Sequence, residues 1–309
     1  MVSSAPFPPP PPRARVFLLH NPPPPIPSPR PTTMGSAASP LDAAPVVTPS
    51  AKAAAVTVAV AVTVTQEELK RVAAHRAVEM VESGMTLGLG TGSTAAHALD
   101  RLGELLRREE LRGVAGVPTS LKTEAHAARA GIPMLQLGEA PGIHLSIDGA
   151  DEVDPELNLV KGRGGSLLRE KMIEGAGERF VVIVDESKLV PRLGCTGAIP
   201  VEVVPFGCLH TLGLIRKVFD GLPGFRARLR TVVPNPKASA DDQEVPFVTD
   251  NGNYIVEMFF DDGIRGDLRE ISDRLLHITG VIEHGMFLGM ATEVVVAKKD
   301  GTVVVLHKK

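Results

Sequence analysis

Four short segments carry residue types that handle anions and protons. The first, Gly88 to Thr94, reads G-L-G-T-G-S-T between an apolar run and an amphipathic one. Glycines let the backbone turn sharply and bring its N–H groups close to a ligand, and a helix opening there adds free donors and a positive dipole end. That suits a phosphate, with the Ser93 and Thr94 hydroxyls as further donors; a tight turn that binds nothing is the rival reading. A dinucleotide fingerprint fits poorly, because Ser93 takes the third glycine position and Val117-Pro118-Thr119 stands where a ribose-binding acid belongs. No G-K-S/T follows, so it is not a P-loop either.

The second segment, Ser146 to Asp154, reads S-I-D-G-A-D-E-V-D just past an apolar run. Asp148 and Asp151 in a glycine-containing turn are suited to hold sugar hydroxyls or share proton transfers. Their every-third spacing does not match a calcium loop, and Glu152 and Asp154 read as a solvated acidic turn. The third, Lys161 to Lys171, reads K-G-R-G-G-S-L-L-R-E-K. Lys161 is placed to stabilise an oxyanion or a phosphate, and Glu170 to act as a general base, although spacing alone does not separate Glu170 from Glu174 or from a surface glutamate. The fourth, V-D-E-S-K, offers Lys188 as a phosphate or hydroxyl donor, with Asp185 read as a turn cap. The nine histidines form no H-x-H or H-E-x-x-H pattern, and His284 beside Gly285 reads as structural. Neither a metal nor a nucleotide cofactor is expected. The set suits proton transfer next to a carbonyl on a phosphorylated sugar.

These segments need strands and helices to present them. Thr65 with Glu68 makes a capping box, opening a helix to about Val81. Strands are expected over Met85–Leu89, Val114–Val117, Ile132–Leu137, His144–Ile147 and Phe180–Val184, and helices over Ser93–Arg107, Ser120–Ala130 and Ser166–Ala176. Short apolar strands alternating with helices imply an α/β fold whose mostly parallel sheet is covered on both faces. After about Gly197 the pattern changes. Val245–Asp250 and Asn253–Phe260 flank Asn251-Gly252, the favoured pair for a two-residue type I′ hairpin. Leu268, Ile271, Leu275 and Ile278 mark an amphipathic helix, and Val281–Leu288 and Glu293–Val305 further strands, the last returning to the first sheet.

The 309 residues have ordinary globular composition and a net charge of −3, which argues against a nucleic-acid or membrane-surface partner. Cys195 and Cys208 are expected to be reduced thiols, and the run Ala53–Thr65 is too short and threonine-rich to span a bilayer. The first 33 residues hold nearly half of the prolines. With Asp42 as the sole acid before Glu67, this leader reads as a transit peptide, a disordered tail, or an over-long gene start preceding Met34.

Taken in order, GLGTGSTA, SIDGADEVD, KGRGGSLLREKM, VDESK and VTDNGN resemble the A-type ribose-5-phosphate isomerase family from about Thr65 to near the C-terminus. The resemblance implies a Rossmann-like α/β catalytic domain over 65–196 plus 287–309 and a smaller α+β domain over 197–286; the leader over 1–64 falls outside it and is expected to be disordered. It also implies no cofactor, and a homodimer or larger homo-oligomer. By matched positions, Thr91, Gly92, Ser93 and Thr94, then Asp148, Gly149, Ala150 and Asp151, then Lys161, Gly162, Arg163 and Gly164 bind substrate, with Lys188 and Lys70 as further lysines. Glu170 takes the place of the catalytic carboxylate, with Lys161, Asp148 and Asp151 as its catalytic partners. Arg163 departs from the glycine usual in the bacterial pattern. The implied reaction converts D-ribose 5-phosphate to D-ribulose 5-phosphate through an enediolate, within the non-oxidative pentose phosphate pathway. Rival readings are another sugar-phosphate isomerase or deaminase, a non-catalytic sugar-phosphate sensor, and a dehydrogenase. The expected location is soluble and intracellular, in cytoplasm or chloroplast stroma.

Overall fold

The computed structural model describes residues 64–232 and 244–308, so the leader over 1–64 lies outside the described residues except for its last position. The chain runs α1 (Gln66–Val78), β1 (Thr86–Leu89), α2 (Ser93–Arg107), β2 (Ala115–Pro118), α3 (Leu121–Ala130) and β3 (Leu145–Gly149). Two short strands, β4 (Glu152–Val153) and β5 (Leu159–Val160), lead to α4 (Leu167–Gly175) and β6 (Phe180–Asp185). Next come β7 (Ile199–Val203), α5 (Cys208–Val218), β8 (Arg226–Leu229), β9 (Thr231–Val232), β10 (Val245–Pro246) and β11 (Tyr254–Phe259). The chain closes with α6 (Leu268–Leu276), β12 (Val281–His284), β13 (Met286–Phe287), β14 (Glu293–Ala297) and β15 (Val303–His307).

The main sheet has the order β15-β14-β6-β3-β1-β2, parallel throughout except for the antiparallel edge strand β15. All of β6 is buried because its alternate side chains enter different cores. Val181 and Ile183 face α1 and α2 among residues such as Leu69, Ala73 and Leu102. Val182 and Val184 face the opposite way, onto Leu159, Phe287 and Val294. That second face carries the small sheet β13-β5-β4. A strand covered on both sides reads as a continuous apolar run, which is what F-V-V-I-V is.

A second sheet, β12-β7-β11-β8, is wholly antiparallel and shares its own core with α5 and α6, through Ile199, Leu212, Ile215, Met258 and Leu275. Cys195 and Cys208 are free thiols at its margin. No helix among the described residues is long and apolar enough to cross a membrane.

Several sequence expectations differ from the structure: Glu152 and Asp154, read as a solvated acidic turn, are buried, at 0 % and 9 % exposed, with their carboxylates taken up by backbone N–H groups. Ile132–Leu137 forms a single parallel bridge, Met134 with Gly116, rather than a strand. The first helix stops at Val78, before the expected Val81. The turn at Asn251-Gly252 is not a two-residue type I′ hairpin. Only Gly252 is left-handed, at φ 79°, and its N–H reaches Thr249 O while Thr249 N–H reaches Asn253 O, closing a three-residue loop. The flanking strands pair elsewhere, β10 with β9 and β11 with β7 and β8. The reason is a buried carboxylate on β7. Glu202 Oε1 accepts from Thr249 Oγ1 (2.9 Å), Asn253 Nδ2 (2.9 Å) and Asn251 Nδ2 (3.3 Å), which ties the turn to β7. The turn in turn braces the main domain's helices: Asp250 accepts from the N–H of Leu121 at the start of α3, and Arg169 of α4 donates to Asn251 Oδ1 and Asp250 O. Glu202→Ala is therefore expected to lower stability by about 1–3 kcal/mol by stranding these donors. Urea denaturation measures the loss, and Glu202→Gln, which keeps an acceptor, recovers part of it.

Candidate active site

The strand order decides where a ligand can bind. From β1 the chain crosses to β2 on one side, then returns to place β3 on the other, so the sheet reverses direction between β1 and β3. In open α/β sheets such a switch point leaves a crevice beyond the carboxyl ends of the strands. The glycine loop after β1 and the Asp148–Asp151 turn ending β3 face each other across it.

Glycine is demanded here by close approach. A Cβ on Gly88 would sit 2.2 Å from Ser146 Oγ, and one on Gly90 would sit 2.2 Å from Asp148 Oδ1. With no side chain in the way, Asp148 reaches across to pin the loop. Its Oδ1 accepts from the N–H groups of Thr91 (3.0 Å) and Gly149 (2.7 Å). Gly92, at φ 122°, then turns the chain into α2 without a side-chain cap, leaving the first N–H groups of a 15-residue helix free.

Behind this loop lies a buried charge cluster. Lys161 Nζ donates to Asp148 Oδ2 and to Gly149 O, both at 2.7 Å. It also stands 3.5 Å from Glu170 Oε2 and 3.2 Å from Glu174 Oε1, one turn apart on α4. The ammonium thus occupies the place among carboxylates that a metal cation would take. Among the described residues no group of three or more His, Cys, Asp or Glu is arranged to hold a metal ion. Lys161 and Glu170 are 2 % and 3 % exposed, so neither is the surface residue its type alone suggests.

A cavity of about 380 Å³ opens onto this cluster. It gathers most of the sequence candidates: Lys70 from α1, Thr91, Gly92, Ser93 and Thr94 from the glycine loop, Gly149, Ala150 and Asp151 from the end of β3, Lys161, Gly162, Gly164 and Glu170, and Lys188 beyond β6. Two candidates do not line it. Asp148 is fully buried and spends its oxygens on the loop and on Lys161. Arg163 turns its guanidinium away, to Glu152 Oε1 (2.7 Å), Ala198 O (2.9 Å) and Thr196 Oγ1 (3.1 Å), while its N–H donates to Asp151 Oδ2 at 3.0 Å. Its side chain is a strut between the glycine loop and the 194–198 segment, which the buried Glu152 also holds through the N–H groups of Gly194 and Thr196. A larger cleft, about 740 Å³, lies near the start of α6 and mixes Arg192, Arg265 and Arg269 with acidic groups, but it contains none of the converging candidates.

Sequence reasoning missed some members. Gln66 lines the cavity and donates to Asp185 Oδ2 at 3.4 Å. Thr119, Ser120 and Thr123 surround the Thr91 hydroxyl at 2.7–2.9 Å and tie it to the backbone of Leu89 and Gly90. Hydroxyls clustered just after a second strand were the available signal. His284 is buried outside the cavity. It accepts from Met286 N–H on Nδ1, so Nε2 carries the proton and donates to Ser272 Oγ at 2.7 Å. Burial, followed by the nearby Lys171 ammonium, holds its pKa down to about 3, so the ring is neutral and structural.

The electrostatics set Glu170 apart. Burial pushes its carboxyl up to about 8, against the pull of Lys161 and with further push from Asp148 and Asp151. For Lys161 burial opposes the charge, but Asp148, Glu170 and Glu174 outweigh it and hold the ammonium's pKa above the usual lysine value. A carboxyl titrating near neutrality beside a fixed cation, at the edge of a cavity with a helix N-terminus in its wall, is equipped to move a proton next to a developing oxyanion.

Comparisons with known proteins agree on one family. The family model described as ribose 5-phosphate isomerase A (phosphoriboisomerase A) matches residues 115–301. The probable ribose-5-phosphate isomerase 1 of Arabidopsis thaliana is 56 % identical over 241 residues, covering 78 % of this chain and 88 % of that protein. The probable ribose-5-phosphate isomerase 3, chloroplastic, of the same plant is 46 % identical, covering 78 % and 83 %. The solved ribose 5-phosphate isomerase from Plasmodium falciparum superposes with a TM-score of 0.72 at 41 % identity, over 79 % of this chain and 99 % of that one.

The raised Glu170 pKa also has a consequence for stability. Between the ordinary carboxylate value of 4.5 and about 8 the folded state holds a proton that the unfolded state has lost, so stability falls as pH rises through that window. Glu170→Gln removes this contribution. Its melting temperature is expected to gain on that of the parent as the buffer is taken from about pH 5 to about pH 9, a trend that thermal melts across the series measure directly.

Proposed function

The chain belongs to the ribose 5-phosphate isomerase A family and interconverts D-ribose 5-phosphate and D-ribulose 5-phosphate, and we propose that Glu170 carries the proton that this reaction moves. The observation that carries the assignment is the Lys161 ammonium 3.5 Å from Glu170 Oε2, both groups lining one cavity. With the sugar in its open form, the Glu170 carboxylate takes the proton from C2. The electron pair moves into a C1–C2 double bond, and charge develops on the carbonyl oxygen. Lys161 and the N–H groups of Gly162 and Gly164 stabilise that oxyanion. Return of the same proton to C1, with a proton passing between the two oxygens, gives the ketose. No metal or organic cofactor takes part, since the fixed Lys161 charge supplies the electrophile.

The phosphate goes to the other end of the cavity, at the free N–H groups and hydroxyls of Ser93 and Thr94, with Lys70 and Lys188 as counter-charges. Asp151 holds sugar hydroxyls and assists ring opening through the carboxylate oxygen that the Arg163 N–H leaves free. Asp148 acts behind the site, fixing Lys161 and the glycine loop, because it does not reach the cavity. The assembly is a homodimer or larger homo-oligomer. The exposed Phe206 (94 %) and Leu209 (70 %) at the start of α5 support an apolar contact surface of this kind. The compartment is the cytosol or the plastid stroma. The relative named chloroplastic supports the second, and the mass of the mature N-terminus discriminates between them.

Purified full-length protein, assayed with a chelator present, is expected to convert ribose 5-phosphate at its full rate, and Glu170→Gln to lower kcat by about 10²- to 10⁴-fold. Near-normal turnover in that variant would remove the base assignment, and loss of activity to the chelator would remove the metal-free reading. Lys188→Ala is expected to raise KM by roughly 10- to 100-fold with kcat largely kept, the signature of a lost charged contact made equally in ground and transition states.

A further inference from the structure

Glu174 is a buried carboxyl that the mechanism does not use. It lies one turn beyond Glu170 on α4, its side chain is 1 % exposed, and it is absent from the cavity wall. Its Oε1 stands 3.2 Å from Lys161 Nζ, yet neither of its oxygens accepts a hydrogen bond. The charged groups around it are Lys161 from the loop after β5, Asp148 from β3, Glu170 on its own helix and, farther off, Lys171. Lys171 is engaged elsewhere, by Glu283 Oε1 and by the carbonyls of His284 and Met286. The rings of Phe180 and Phe287, 5.9 Å and 5.5 Å from Lys161 Nζ, help close the space to water.

One ammonium cannot balance three carboxylates in such a place. Asp148 is the carboxylate best supplied with donors, since it receives two backbone N–H groups and Lys161. Glu170 borders the cavity and must ionise to act as a base. Glu174 has no donor beyond the Lys161 ammonium that Asp148 already engages, and no outlet to water, so an ionised carboxylate in that position would be poorly compensated. A carboxyl that accepts nothing and lies against a carboxylate has one favourable state, the acid, with its O–H turned to its neighbour. Burial, opposed by Lys161 and reinforced by the charges of Asp148 and Glu170, raises its pKa well above the ordinary value.

We propose that Glu174 is a positioning residue of the isomerase site: a carboxylic acid, protonated at neutral pH, that backs Lys161 and Asp148 while keeping a second full negative charge away from Glu170. An ionised group there would draw the ammonium off the cavity and hold the Glu170 proton more tightly. A purely apolar group would remove the polar neighbour that Lys161 Nζ meets at 3.2 Å. This inference rests on the roles given above to Glu170 and Lys161. Its test separates from theirs, because Glu170→Gln retaining turnover would remove the base assignment and leave the protonation state of Glu174 standing.

The experiment compares Glu174→Gln and Glu174→Met in the full chain. Gln keeps a neutral donor and Met keeps the volume without one. Infrared difference spectra, parent minus Glu174→Gln at neutral pH, are expected to show the carbonyl stretch of a protonated carboxylic acid lost on substitution. In pH profiles of kcat/KM the acid limb belongs to Glu170 and is expected to stay within about 0.3 pH units in Glu174→Gln. The alkaline decline, where Glu174 finally ionises beside Lys161, is expected to move upward. Glu174→Gln should lower kcat about two- to fivefold and Glu174→Met by about tenfold or more, with KM little changed in both. A drop of the acid limb by a unit or more would show that a full charge had been removed, and would overturn the proposal. So would absence of the carboxylic acid band, equal kcat in both variants, or a Gln variant that cannot fold, since a neutral isostere must fit where a neutral acid sits.

Discussion

Asp148 and Lys161 form an ion pair at 2.7 Å with almost no access to water, and the parts of the site are hung on it. On one side the same carboxylate holds the glycine loop through Thr91 N–H, which orients the N-terminus of α2. On the other, Lys161 draws the glycine-rich segment beyond β5 and two glutamates of α4 into one cluster. Because the pair is enclosed, its attraction is little screened, and neither partner survives alone at acceptable cost. That enclosure explains the glycines at 88 and 90, since any side chain there would strike Ser146 or Asp148.

The cluster works against the fold as well as for the reaction. Carboxyls kept from water have raised pKa values, and their ionisation is disfavoured in the folded state. A carboxyl that titrates near neutrality exists only because the surrounding structure over-determines the position of Glu170. Part of that restraint comes from the second sheet. Glu202 on β7 anchors the 249–253 turn, the turn holds Arg169 of α4, and the Arg163–Glu152 pair clamps the 161–165 loop to the segment before β7. Arg230 on the loop after β8 adds a bond to Arg163 O. The antiparallel sheet thus serves as a brace for a loop that belongs to the parallel one.

Much of this was legible residue by residue. The F-V-V-I-V run announced a strand buried on both faces, since both of its side-chain rows lacked polar groups. Thr65 announced its helix by capping, and its hydroxyl accepts the Glu68 N–H, although the Glu68 carboxylate pairs with Arg71 instead of closing the box. The stretch from Ile199 to Phe225 was not assigned, because its strand and helix alternate over too few residues to show a clear period. The Asn251-Gly252 turn misled for a different reason. Local propensity favoured a two-residue hairpin, while a carboxylate 49 residues away in sequence captured the Asn251 side chain.

The sequence by itself determined the elements of the parallel sheet, the phosphate-suited loop and the list of groups able to move a proton, because backbone periodicity, glycine conformational freedom and helix capping act over a few neighbouring residues. It could not tell Glu170 from Glu174, or either from a surface glutamate, since helix spacing puts both on one face and says nothing of what that face meets. Only the tertiary structure decided this. It placed Lys161 between the two carboxyls, left Glu170 at the cavity edge and sealed Glu174 behind it, and it engaged the Arg163 and Asp148 side chains with protein partners outside the cavity wall. Whether a carboxyl becomes a base, a neutral acid or an anchor depends on solvent access and on donors within a few ångströms, and those come from segments distant in the chain.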